Sequence, residues 1–218
     1  MAMMAAAKPL GPVPPGFAAI DGELATRGRK ASELAAAGTP LFVYSRAMIE
    51  ARMALLRAAL PPRVRVHYAI KANSFAPLLA LMCELADGLD IASGGELAMA
   101  RAAGADPAAI GFAGPGKRDD ELAAAVLAGV TLNLESEGEA RRALAAAERL
   151  GRTPRLAIRV NPDFDLRGSG MKMGGGARPF GVDAERVPAL AREVIAAGRT
   201  FVDASYPDPK FDLPEWRA

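Results

Sequence analysis

Val64-Arg65-Val66-His67-Tyr68-Ala69-Ile70-Lys71-Ala72-Asn73 is the stretch on which the reading of the fold turns. Residues 64–70 alternate as a half-buried strand does. Lys71 stands at the C-terminal end of that strand. Upstream, Leu41-Phe42-Val43-Tyr44 reads as a short strand and residues 46–60 as a helix ended by Pro61-Pro62. Downstream, strands are expected at 88–92, 110–113, 130–134 and 156–160. Helices are expected at 76–86, 96–103, 119–128, 137–150 and 185–197, three of them ended by Gly104, Gly129 and Gly151. Strands alternating with helices mean βαβ units and a parallel sheet. Right-handed crossovers leave an open doubly wound sheet or a closed barrel, and periodicity alone does not choose between them.

The flanks differ in texture. Residues 1–38 read as a lead-in, rich in Pro and Gly at first, with a short alanine-rich helix near 32–37. Past Gly198 the alanines thin out, and Asp, Pro and aromatics, including Trp216, take over. That break predicts a divergent tail over 199–218, outside the reading frame of the parent gene.

Bulk properties exclude several classes. Lys plus Arg number 27 against 25 Asp plus Glu, so no basic excess points to nucleic acid. No apolar run approaches the roughly 20 residues a membrane helix needs. The N-terminal stretch is broken by Lys8, Pro9, Pro12, Pro14 and Pro15 and does not read as a signal peptide. A single cysteine, Cys83, allows no internal disulfide and fits a reducing, cytoplasmic setting.

Several groups could carry chemistry. A lysine at the C-terminal end of a parallel strand lies where ligands gather, and partial desolvation would make it a nucleophile for an aldehyde. Asp90-Ile91-Ala92-Ser93-Gly94-Gly95-Glu96 puts two carboxylates at the same end of the sheet. The plainer reading of Ser93 and Glu96 is a capping box. Residues 111–118 nearly spell a phosphate loop, but Arg118 stands where Ser or Thr should be. Arg159, Asn161 and Pro162 end a further strand, followed by a long loop with Gly174-Gly175-Gly176 that reads as a flexible segment or a substrate lid. One histidine, His67, provides no metal site and no triad, and reads as structural. Cys83 reads as core.

His67-Tyr68-Ala69-Ile70-Lys71-Ala72-Asn73 closely resembles the cofactor-lysine motif of the ornithine, diaminopimelate and arginine decarboxylases, which depend on pyridoxal phosphate. The spacing to the segment 90–96, to the turn 114–117, to Asn133-Leu134-Glu135-Ser136 and to Arg159-Val160-Asn161-Pro162 resembles that group too. The likeness covers about 39–198. The loop Met171-Lys172-Met173-Gly174-Gly175-Gly176 is similar to the form found in decarboxylases associated with exosortase gene sets and in those acting on an amino acid held by an acyl-carrier protein.

The resemblance implies an α/β fold, a pyridoxal-phosphate-binding (β/α)8 barrel of the alanine-racemase type, of which 39–198 would be the N-terminal part. It implies decarboxylation of an amino acid or a carrier-bound amino acid, with Lys71 holding the cofactor as a Schiff base. Asp90 and Glu96 match positions near the cofactor, and Arg159 one that faces the ring's phenolic side. In this family active members are homodimers with shared sites. A ring-stacking histidine, the late phosphate cradle, the acidic partner of the pyridine nitrogen and a C-terminal β-domain are not found in the sequence. The chain is therefore expected to be a truncated and inactive form. The alternatives are a non-catalytic pyridoxal-phosphate-binding protein and an amino-acid racemase on the same barrel.

Overall fold

A computed structural model of the chain describes residues 16–164, 176, 178–197 and the backbone of 200–205. The chain forms two units, Met1–Arg63 and Val64–Ala218.

In the first unit, strands β1 (Ala18–Ile20), β2 (Glu23–Thr26) and β3 (Arg29–Lys30) form an antiparallel sheet in that order. Two-residue turns join them, Asp21-Gly22 and Arg27-Gly28, with φ of 51°, 76°, 50° and 77°. Positive φ at both central residues matches the twist of the flanking strands, and glycine supplies half of it without strain. Helix α1 (Ala31–Ala35) follows, and Glu23 accepts from the Ser32 hydroxyl at 3.0 Å. Helix α2 (Arg46–Ala59) starts at Ser45, whose hydroxyl accepts from the Met48 N–H at 3.4 Å. This unit corrects two expectations. The lead-in holds a three-stranded sheet besides its short helix. Leu41-Phe42-Val43-Tyr44 is not a strand; Leu41 and Val43 instead line an apolar pocket of about 320 Å³ with Phe17, Leu24 and Leu34.

The second unit is built on a parallel sheet. Its strands are β4 (His67–Ala69), β5 (Gly88–Ile91), β6 (Ile110–Phe112), β7 (Thr131–Leu134), β8 (Arg155–Asn161), β9 (Val182–Asp183) and β10 (Thr200–Ser205). Their order is β10-β8-β7-β6-β5-β4, with β9 beside the end of β8. Between them run α3 (Ala76–Leu85), α4 (Gly94–Ala102), α5 (Asp119–Ala128), α6 (Glu137–Leu150) and α7 (Val187–Ala196). The helices expected at 119–128 and 137–150 have those bounds. The strand expected over 64–70 is shorter, because the Val66 N–H is taken by the Asp87 carboxylate at 2.6 Å and ladder pairing starts only at His67. Residues just past Gly198 continue the fold: β10 pairs in parallel with Arg155–Arg159 of β8. Residues 206–218 of the expected tail lie outside the described residues, as does most of the glycine-rich loop.

Alternation sorts the side chains of the sheet. Leu89, Ile91, Ile110, Phe112, Leu132, Leu134, Leu156 and Ile158 are buried in one cluster with Leu79, Leu97, Leu122, Leu190 and Val194 of the helices. Each such burial stabilises by about 1.5–3 kcal/mol. Ala140, Ala143 and Ala147 of α6 are also in that cluster, and their small side chains let the helix lie close on the sheet. The residues of opposite parity are polar or small: Asp90, Gly111, Thr131 and Arg155 stand in register across β5 to β8. The second face of the sheet is thus chemically distinct from the core. None of the helices among the described residues is long and apolar enough to cross a membrane.

Candidate active site

Parallel strands collect functional groups at their C-terminal ends. At the end of β4 the chain makes a single 3-10 turn, Ile70–Ala72. Ile70 is fully buried and anchors the turn. The Tyr68 hydroxyl donates to the Asn73 carbonyl at 3.0 Å, and the Asn73 side chain accepts from the Phe75 N–H at 3.0 Å. Lys71, between these anchors, is exposed. The expected partial desolvation is therefore not supplied by the described residues: the turn is fixed, but Lys71 is exposed on it.

Asp90 lies on β5, paired in register with Ala69 of β4 and Gly111 of β6. Its side chain is 54% exposed, and its Oδ1 lies 3.8 Å from His67 Nδ1. His67, read as structural, thus borders a candidate site residue. Gly111 leaves the space that Asp90 and Asn133 use: a Cβ there would lie 3.1 Å from Asp90 Oδ1 and 3.4 Å from Asn133 Nδ2.

Glu96 is engaged locally. Its carboxylate accepts from the Ala92 N–H at 2.7 Å, while the Ser93 hydroxyl accepts from the Glu96 N–H at 3.2 Å. The Ser93 bond is the N-cap half of the expected capping box, while Glu96 reaches one residue further back, to Ala92 and not to the Ser93 N–H. The neighbouring N–H of Gly94 is satisfied by Glu121 at 2.7 Å.

Arg159 sits on β8 with its side chain 25% exposed. Its Nη1 donates to both oxygens of Glu135, at 3.1 and 3.4 Å. Its guanidinium lies 5.1 Å from the centre of the Phe180 ring. Glu135 also accepts from the N–H groups of Gly114 at 2.7 Å and Gly181 at 2.9 Å. Behind it lies a second pair. Lys117 Nζ donates to Glu139 at 2.6 Å, to the Gly114 carbonyl at 2.8 Å and to the Asn133 carbonyl at 2.7 Å. Both side chains are 1% exposed. Burial pushes the Lys117 ammonium down and the Glu139 carboxyl up, each opposed by the partner's charge.

The topology brings Lys71, Asp90, Glu96 and Arg159 to one end of the sheet, but no hydrogen bond or ion pair joins any two of them among the described residues. Sequence reasoning did not single out Glu135, Lys117, Glu139 or Phe180 as site residues. Glu135 and Lys117 lay inside the quoted segments Asn133-Leu134-Glu135-Ser136 and 114–117 without being assigned a role, and Ser136 three residues before Glu139 marked a helix start that the Ser136 hydroxyl caps at 3.2 Å.

This donor set suits pyridoxal phosphate in part. A primary amine on a fixed turn can take an aldehyde, and Arg159 keeps Nε and Nη2 for an anionic oxygen among the described residues. The turn at Gly114 is not a phosphate cradle, since its N–H is held by Glu135.

The chain is 45% identical over 147 residues to the diaminopimelate decarboxylase of Aquifex aeolicus (strain VF5), covering 66% of this chain and 35% of that protein. It is 38% identical over 153 residues to the L-glutamyl-[BtrI acyl-carrier protein] decarboxylase of Niallia circulans, covering 70% and 36%. The crystal structure of AQ1208 from Aquifex aeolicus is similar over 93% of this chain and 48% of that one, with a TM-score of 0.73 and 34% identity. Diaminopimelate decarboxylase from Helicobacter pylori, complexed with L-lysine, is similar over 75% and 42%, with a TM-score of 0.69 and 30% identity. The chain thus spans between a third and a half of the length of these proteins. The family model described as "Pyridoxal-dependent decarboxylase, pyridoxal binding domain" matches residues 46–198, and the chain belongs to that family.

Proposed function

We propose that this chain provides the cofactor-attachment part of a pyridoxal-phosphate-dependent amino-acid decarboxylase, with Lys71 as the attachment residue. The observation that carries this reading is the placement of Lys71. Its amine follows a parallel strand directly, on a turn pinned by buried Ile70 and by the Tyr68–Asn73 hydrogen bond. When bound, the cofactor supplies the electron sink that accepts the pair left behind as a carboxylate departs.

The chain's own residues contribute binding and orientation. With the cofactor bound, Lys71 would hold its aldehyde carbon through Nζ, and that same nitrogen, as an ammonium, would be the group placed to hold or move a proton beside the substrate carbon. Arg159 orients an anionic oxygen through Nε and Nη2. Asp90 adds negative charge to the polar face of the sheet, where it favours a cationic group. Glu96 holds the β5–α4 turn in shape.

The substrate class is an amino acid, free or held on a carrier protein. The similarity to both diaminopimelate and carrier-bound glutamate decarboxylases supports that breadth. A homodimer in a cytoplasmic, reducing setting fits the family and the single cysteine, Cys83.

Titration with pyridoxal phosphate, borohydride reduction and peptide mass mapping test the reading. The expected result is one stoichiometric adduct on Lys71 that disappears in Lys71→Ala. Labelling spread over Lys8, Lys30, Lys172 and Lys210, or none at all, would reject it.

A further inference from the structure

The cluster behind Arg159 has no part in the chemistry so far, yet it is the most constrained polar arrangement in the described residues. Glu135 follows β7 and is buried, with its side chain 1% exposed. A buried carboxylate is costly unless its oxygens are fully paired. Here they are. Oε1 accepts from the Gly114 N–H at 2.7 Å and Arg159 Nη1 at 3.1 Å; Oε2 accepts from the Gly181 N–H at 2.9 Å and Arg159 Nη1 at 3.4 Å. The donors come from three separate segments: the turn after β6, strand β8, and the residues just before β9.

The third segment matters because Phe180 precedes Gly181 and its ring lies 5.1 Å from the Arg159 guanidinium. Gly181 is pressed against β8: with φ of +81°, a Cβ there would lie 2.9 Å from the Arg159 carbonyl oxygen and the Asn161 nitrogen. Arg159 is thus held by a carboxylate at one terminal nitrogen and by an aromatic ring over its plane. Both holders connect through one backbone N–H, that of Gly181.

We propose that Glu135 is a positioning residue, which fixes the Arg159 guanidinium and locks the returning end of the glycine-rich loop to that same arginine. It acts through Arg159 and touches neither cofactor nor substrate. Its functional meaning rests on the reading that Arg159 faces the cofactor. An anionic oxygen drawn to Nε and Nη2 meets donors already aimed, and the Gly181 N–H is tied to the same carboxylate that holds Arg159. The paired Lys117 and Glu139 behind it serve the same end, since Glu139 accepts from the Glu135 N–H at 3.3 Å.

The test is made on the full chain without cofactor, by following the rate at which phenylglyoxal modifies each arginine, read by peptide mass mapping. Arg155, on the same strand as Arg159 and bonded to Thr131 of β7, is the internal reference. Glu135→Gln is expected to speed modification of Arg159 about tenfold relative to Arg155, as loss of a charge-assisted hydrogen bond implies. Glu135→Asp, which keeps the charge, should restore part of the protection. Phe180→Ala uncovers one face of the guanidinium and should also speed it; if Glu135→Gln does not fold, Glu135→Asp, with its shorter reach, decides the matter by a smaller rise in the Arg159 to Arg155 ratio. General unfolding would raise Arg155 and Arg159 together, so the ratio isolates positioning. An Arg159 to Arg155 ratio unchanged in every folded variant overturns the proposal. Selective release of Arg159 in a chain that forms no Lys71 adduct supports the positioning role while rejecting the cofactor reading.

Discussion

At the residue scale, the site combines one exposed reactive group with a buried support. Lys71 has the position its strand predicts, but its reactivity has to come from attachment and not from burial by the described residues. The support is a different kind of object. Lys117 Nζ is hydrogen-bonded to three oxygens, those of Glu139, Gly114 and Asn133, in a place from which water is excluded. Removing one partner from such a pair is far worse than replacing both. Lys117→Met is expected to destabilise the second unit by about 3–5 kcal/mol, because Glu139 and two carbonyls lose their donor together. Lys117→Met with Glu139→Leu should recover most of that loss. Urea unfolding of the two variants checks this; equal midpoints would mean that the pair contributes nothing beyond its apolar volume. None of this was legible in the sequence as a site. Gly114 lies 21 residues from Glu135 and Gly181 lies 46. No local pattern marks a carboxylate whose donors arrive from that distance.

At the element scale, legibility followed the length of each periodic run. Helices α5 and α6 are ended by glycines in the left-handed region, Gly129 and Gly151, and their bounds match the reading. Strands of two to four residues joined by tight turns, as in β1 to β3, give too few alternations to register, although Asp21-Gly22 is a hairpin signal in itself. Leu41-Phe42-Val43-Tyr44 misled because an apolar run that lines a pocket has the composition of a strand. Helix starts also join elements. Glu121 accepts from the Arg118 N–H of its own helix at 2.9 Å and from the Gly94 N–H of α4 at 2.7 Å. These backbone bonds, Arg118 first and Gly94 second, hold its carboxyl below the usual range. Folded Glu121 therefore binds its proton less tightly than unfolded Glu121 does. Its contribution is present above the ordinary carboxylate value and is lost as pH falls through the lowered one. Glu121→Gln should be less stable than the parent by about 1–2 kcal/mol at neutral pH, the worth of bonds to a charged acceptor. The gap should close in acid. Denaturation series at several pH values read it directly, and a gap that does not change with pH would remove the charge from the explanation.

At the scale of the molecule, the parallel α/β architecture was legible from the alternation of strands and helices. The choice of a barrel was not, and it came from the likeness of motifs, which the similar solved structures bear out. The reason is physical, since an open sheet and a closed one share the same local pattern and differ only in how the edge strands are partnered. Among the described residues β4 pairs only with β5, and β10 only with β8. The polar face that carries Asp90 and Arg159 is consequently not wrapped by the described elements, and Lys71 at its rim is exposed. Loss of a carboxylate into an electron sink is favoured where water is excluded and the dipoles are fixed. Among the described residues the sheet is the one wall of this face. The 218-residue chain is expected to form the Lys71 adduct and yet release no carbon dioxide above background from either candidate substrate. Attachment needs only the β4 turn, whereas turnover needs the enclosure. Trapped carbon dioxide from a carboxyl-labelled substrate, measured beside the adduct yield of the same preparation, separates the two. Turnover approaching that of a full-length relative would mean that the open face is closed in solution, with a second copy of the chain as the first candidate for the missing wall.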